Sequence, residues 1–159
     1  MLTTYTFWTH GVNTIVQYQP NGIQITHSGG GTDVKMPAKA TTTENYLHIP
    51  IPTPTALELS SIFPSEPAFV TCVSGHLRAT VNNNVLIKSV QFLVDGVSKF
   101  SSGSVSVSGP KVDEIVPCND FLVTGGLVLS LTVDFIPGTP SGMITILGAG
   151  ATFKVVASV

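Results

Sequence analysis

Apolar and polar residues alternate along most of this chain with a period of two. Leu127, Leu129, Leu131, Val133 and Phe135 fall on one side of an extended segment, and Ser130, Thr132 and Asp134 on the other. Side chains change face at every residue only in a strand, so this pattern predicts a half-buried β-strand. Val105 and Val107 alternate with serines in the same way, and Val90, Phe92 and Val94 form one face of a further strand. That strand runs into Asp95-Gly96, after which residues 97–100 continue in β-rich composition. Asp-Gly between two such runs predicts a type I′ hairpin, because both turn positions need positive φ. Other predicted strands cover residues 3–8, 14–18, 23–27, 46–51, 57–63, 68–73, 77–81, 112–116, 143–147 and 152–156. Gly, Pro, Asn and Ser clusters separate them; 64–67, 82–84 and 138–142 read as turns, and 37–44 as a short helix or an irregular loop. The expected fold is all-β: an antiparallel two-sheet sandwich, jelly-roll or immunoglobulin-like, of about eight to eleven short strands.

Composition narrows the picture. The 159 residues fit one domain, residues 1–159, large enough to bury a core without a metal or a disulfide. Only 10% are charged, the net charge is −2, and the seven basic residues are scattered. Phosphate neutralisation needs clustered Lys and Arg, so nucleic acid is not an expected partner. A surface of low charge repels its own copies weakly, which favours a homo-oligomer or another protein as partner. No apolar run reaches the ~20 residues of a spanning helix. The start, MLTTYTFWTHG, lacks a basic n-region and an apolar h-region. The expected location is therefore the cytoplasm, or outside the cell by a route that reads no signal peptide.

Three stretches carry a recognisable pattern: Trp8-Thr9-His10-Gly11, then Gly30-Gly31-Thr32, then Leu47-His48-Ile49-Pro50-Ile51-Pro52-Thr53-Pro54. Together they resemble a family of small bacterial and fungal domains of unknown function that share a Trp-Thr-His-Gly start and a His-Ile-Pro-Ile-Pro-Thr-Pro segment. The resemblance implies one β-domain and assigns no activity. The proline run has a reading of its own. Alternate prolines lack amide donors on one side, which suits an edge strand protected against addition of further strands. A proline-rich ligand for another protein is the functional counterpart.

Catalytic and metal chemistry finds little support. His10, His27, His48 and His76 show no zinc-ligand spacing, and no cofactor or metal is expected. His10 and His48 both lie in the patterned segments, which raises the question of whether they meet in space. Ser74-Gly75-His76 is not a nucleophile elbow. Gly29-Gly30-Gly31 lacks the Lys-Ser/Thr ending of a phosphate loop. Asp113-Glu114 and Glu44 form no evident glycosidase pair. Cys72 and Cys118 read either as reduced thiols or as a disulfide. Trp8 is the one tryptophan; it reads as a core plug or, in the sharper version, as a stacking platform for a sugar. The candidate ligand-binding set is Trp8, His10, Asp33, Asn45 and His48.

The leading expectation is a non-catalytic β-sandwich binding or structural module, with self-assembly open to it. A lectin-like carbohydrate binder is the first alternative, a membrane-active toxin component the second, and a small hydrolase the last.

Overall fold

A computed structural model describes residues 2–17, 22–37, 42–54, 68–102, 112–138 and 140–157. The predicted strands at 57–63 and 104–108 and the turn at 64–67 lie outside the described residues, as do residues 38–41 of the 37–44 segment. Eleven strands are described: β1 (Leu2–His10), β2 (Ile15–Val16), β3 (Gln24–Ser28), β4 (Gly31–Lys35), β5 (Thr43–Ile51), β6 (Ala68–Val81), β7 (Val85–Val94), β8 (Val97–Ser101), β9 (Val112–Leu122), β10 (Leu127–Phe135) and β11 (Met143–Ala157). A 3-10 turn, Gly11–Asn13, joins β1 to β2.

They form two antiparallel sheets. The first runs β3-β4-β11-β6-β9, and β1 also pairs with β11. β11 is long enough to take β4 along Met143–Ile146 and β1 from Gly148 to Val156 on one edge, with β6 on the other. The second sheet runs β2-β5-β10-β7-β8. The sandwich expected from alternation is therefore the architecture found, although β6 and β11, at 14 and 15 residues, are each longer than the two short strands expected in their place.

The core lies between the inner faces, and period two fills it. From β10 it takes all five predicted apolar residues, Leu127 to Phe135. β7 contributes Val85 and Ile87, then changes phase to Val90, Phe92 and Val94. The phase change falls where its register against β10 slips at Thr132/Val133, so a bulge absorbs the extra residue. β11 changes phase in the same way, from Ile144 and Ile146 to Ala149, Ala151, Phe153 and Val155, across a slip at Ile146/Gly148. The alternate apolar positions of β10 and β11, the strands apolar enough to invite a membrane reading, are thus turned into the core. Among the described residues no helix is long and apolar enough to cross a membrane. Phe92 is central: its ring lies 5.8 Å from Phe121 and 6.3 Å from Phe100. It occupies the place of a side chain at Gly75, where a Cβ would stand 2.0 Å from Phe92 Cζ.

One local prediction is met in detail and another in part. Asp95 and Gly96 adopt φ of 51° and 81°, as the type I′ turn requires. Asp95 also ties its hairpin to the next loop, since its carboxylate accepts from Gly126 N at 2.9 Å. The proline-rich strand β5 pairs with β10 along its full length, while β2 covers only Leu47 and His48 on the other side. Among the described residues no other strand pairs with that side, and the edge strand of the sheet is β2 rather than β5. One strand, β4, is not among those expected: its glycine start disguises it. Gly31 has φ 134°, and a Cβ there would stand 2.1 Å from Ile146 O.

Candidate functional site

The candidate site is built on β1, β11 and β6. In β1 the inward positions are Tyr5, Phe7 and Thr9, so Thr4, Thr6, Trp8 and His10 face outward. Trp8 is consequently not a core plug; 45% of it is exposed on the outer face of the first sheet. Across the strands Trp8 is level with Gly150 of β11, which is level with His76 of β6, which is level with Ile115 of β9. Gly150 makes the row possible. A Cβ there would meet Phe7 O at 2.5 Å and Trp8 Cδ2 at 3.0 Å, so the indole occupies the space that a side chain would take. Gly148, the next outward position on β11, likewise leaves room beside the ring.

With β11 bare at these points, Trp8 reaches across to β6. Its ring centroid lies 5.3 Å from that of His76, with the planes tilted by 33°. The Arg78 guanidinium carbon lies 5.0 Å from the indole centroid, a cation–π contact. Hydroxyl groups fix the imidazole: His76 Nε2 is 2.8 Å from Thr152 Oγ1, which is 2.9 Å from Thr6 Oγ1. Burial lowers the His76 pKa, so the ring is neutral at neutral pH. Ile115 continues the row and is 66% exposed. The face thus joins two aromatic rings, an aliphatic residue, a guanidinium and a pair of threonine hydroxyls on rigid strands.

The five candidate residues do not assemble into one site. Trp8, His10 and Asp33 share the outer face of the first sheet. His10 Nδ1 accepts from Val12 N at 3.3 Å, capping the 3-10 turn. Asp33, on β4, accepts from Thr145 Oγ1 at 2.6 Å and lies farther along β11. Asn45 points into the interior and is fully buried, its Oδ1 accepting from Tyr46 N. His48 is on the outer face of the second sheet, 2.6 Å from Gln17 Oε1, with its pKa lowered by burial. His10 and His48 therefore serve different sheets with different partners.

The patterned segments have an architectural role instead. Gly11 and Gly31 both press against the carbonyl of Ile146, where a Cβ would stand 1.8 and 2.1 Å from the oxygen. Thr14 and Thr32 each donate a hydroxyl to Gly11 O at 2.7 Å. The Thr32 proton is thereby committed, so His27 Nδ1, 2.8 Å away, is the donor to Thr32 Oγ1. This junction holds β1 and β4 where they meet along β11. Among the described residues no group of three or more His, Cys, Asp or Glu could hold a metal ion.

His76, Arg78, Thr6 and Thr152 were not among the candidates. The sequence carries a signal only for Thr6: Trp8 has the same parity in β1 as Thr4, Thr6 and His10, and so belongs to the polar face.

No family model matches the chain, and no curated protein matches it. Solved structures with some likeness include a carbohydrate-binding module, TmCBM61 in complex with β-1,4-galactotriose, at 12% identity and TM-score 0.43, over 94% of this chain and 91% of that one. CsCBM6-3 from Clostridium stercorarium, in complex with cellobiose, matches at 11% and 0.41, over 88% and 92%. The insecticidal crystal protein Cry2Aa matches at 9% and 0.44, over 92% of this chain and 21% of that one. At such identities and scores no property of those proteins passes to this chain.

Proposed function

We propose that this chain is a non-catalytic binding module that takes carbohydrate on the outer face of its first sheet. The observation that carries this reading is Trp8, nearly half exposed beside His76 on a rigid strand row. A pyranose has one face of C–H bonds and a rim of hydroxyls. An indole suits the first, and Arg78 with the Thr6–Thr152 pair supplies partners for the second. Strand-borne rings lose little entropy on binding, which favours a shallow site.

Affinity electrophoresis through gels loaded with plant and bacterial polysaccharides, with a glycan array alongside, tests the proposal. The wild type is expected to be retarded by at least one glycan and Trp8→Ala to run freely. Absence of binding across a broad panel, or binding that ignores Trp8→Ala, sinks it.

A second reading, self-association through the same face, has its own observation. Ile115, Phe69 and Leu122 are 66%, 50% and 46% exposed on β9 and β6 of this sheet. Light scattering at high concentration separates the two: a stable dimer or larger particle that Ile115→Ser dissolves favours self-association, and a monomer excludes it.

A further inference from the structure

Cys72 and Cys118 lie on neighbouring strands of the first sheet, and the register between them is irregular. β6 and β9 pair Cys72 with Phe121 and Ser74 with Pro117. Between those two pairs β6 has one residue, Val73, while β9 has three, Cys118, Asn119 and Asp120. The surplus bulges β9 and brings Cys118 over Cys72. Their sulfurs are 4.0 Å apart, and both are free thiols. Cys118 Sγ is also 4.0 Å from Cys72 O, and Cys72 Sγ is 3.7 Å from Ser74 O.

Cys72 belongs to the core and Cys118 packs against it, and a disulfide would keep both sulfurs there. A bond of about 2.05 Å between them needs a closure of about 2 Å. Adjacent strands lie ~4.8 Å apart, within the Cα separation a disulfide spans, and a bulged strand can absorb the shift. The two thiols differ in access: Cys72 is fully buried, Cys118 only partly. Their hydrogen bond also differentiates them. The Cys118 sulfur and burial push the Cys72 thiol up, whereas the thiol of Cys72 holds Cys118 down.

We propose that Cys72 and Cys118 form a reversible oxidation site that exchanges with low-mass disulfides, Cys118 reacting first. The Cys118 sulfur attacks one sulfur of the small disulfide. That S–S bond breaks, a mixed disulfide forms on Cys118, and the departing thiolate takes the Cys118 proton. Cys72 then attacks Cys118 Sγ, the mixed bond breaks, and the second small thiolate takes the Cys72 proton. Two protein thiols have become one disulfide, and one small disulfide has become two thiols. A shielded second sulfur 4.0 Å away favours this closure over attack by another molecule.

The test uses the full chain in glutathione buffers from reducing to oxidising, quenched with an alkylating reagent and read by intact mass. The expected oxidised product is a monomer lighter by two hydrogens, resistant to alkylation, and restored by dithiothreitol. The bond closes a long loop, so its melting temperature should lie about 5–10 °C above that of the reduced chain. Cys72→Ala should trap one glutathione on Cys118. Cys118→Ser should leave Cys72 unreactive in the folded chain, with circular dichroism confirming that each variant folds. Two thiols still open to alkylation in the most oxidising buffer overturn the proposal. So does a wild-type glutathione adduct that persists, or a covalent dimer as the main product.

Discussion

The two outer faces of the sandwich use polar and aromatic residues in opposite ways. On the second sheet Lys88 lies 2.8 Å from Glu44 and 3.6 Å from Asp134, and Tyr46 donates to Glu44 at 2.6 Å. The Lys88 ammonium and the Tyr46 hydroxyl hold Glu44 below its ordinary pKa, and Glu44 raises those of Lys88 and Tyr46. These groups satisfy one another and leave little for a ligand. The first sheet places a tryptophan over bare glycine backbone, with an imidazole, a guanidinium and an isoleucine in line. Its polar groups are fixed at the margin of an apolar strip still open to water. A face rich in mutually paired charge is a solvated face, whereas partly exposed rings held by the backbone mark a surface built to be covered.

The sharpest way to break this contrast is to fill the glycine. Gly150→Val places carbon where Phe7 O and the indole now stand, and the backbone oxygen at 2.5 Å cannot yield cheaply. Overpacking of this kind costs about 1–3 kcal/mol, a fall in melting temperature of about 3–10 °C. Glycan retention should be lost with it, since Trp8 must leave the row. A variant that melts like the wild type and still binds would show that Gly150 does not position the ring. Trp8→Ala asks the complementary question. Its side chain lies outside the core, so the melting temperature should move by only a few degrees while glycan affinity drops about tenfold or more, equivalent to about 1.4 kcal/mol or more of lost stacking. A collapse of stability instead would return Trp8 to a structural role.

Most of the sheet layout was legible in the sequence, because alternation directly reports which side of a strand is buried. Leu127 to Phe135 and the Asp95-Gly96 turn needed nothing else. What was lost depended on neighbours distant in sequence. Gly75 and the glycines of Gly148-Ala149-Gly150 interrupt the apolar alternation, so the pattern predicts two short strands in place of each of β6 and β11. Gly75 is a glycine because the Phe92 ring fills its place, and Gly150 because Trp8 does. Neither ring can be located from the local sequence. β4 is hidden from the pattern for a related reason: Gly31 hugs Ile146 O, a contact 115 residues away in the chain. The site was legible only in Trp8. His76 and Arg78 join it through the register of β11 with β6, and register is a tertiary property.

Acid separates the faces by a smaller amount. Burial lowers the pKa of His76 on the first sheet and of His48 on the second. Each is then neutral when folded and binds a proton more readily when unfolded. Stability contributed by the neutral ring is complete above the ordinary value of 6.5 and is lost as pH falls through it toward the folded pKa. Urea midpoints measured from neutral pH down to about pH 5 should fall, and His76→Gln or His48→Gln should each flatten the curve. Only protonation at His76 should also weaken glycan retention. Equal effects of the two histidines on binding would erase the distinction between the faces.

The smallest effect is expected from Lys88→Ala. Its two carboxylate partners lie at the surface, where pairs gain little because water and salt screen them and holding long side chains costs entropy. The melting temperature should fall by less than about 2 °C, and that difference should shrink as salt is added. Glycan retention should not change, because Lys88 and Trp8 stand on opposite outer faces with the core between them. A larger, salt-insensitive loss would mean that the Lys88 stem supports packing over β10 and that the second face is part of what holds the sheets together. Weaker glycan binding from this substitution would be more damaging, since among the described residues Lys88 and the Trp8 row are joined only through the sandwich itself.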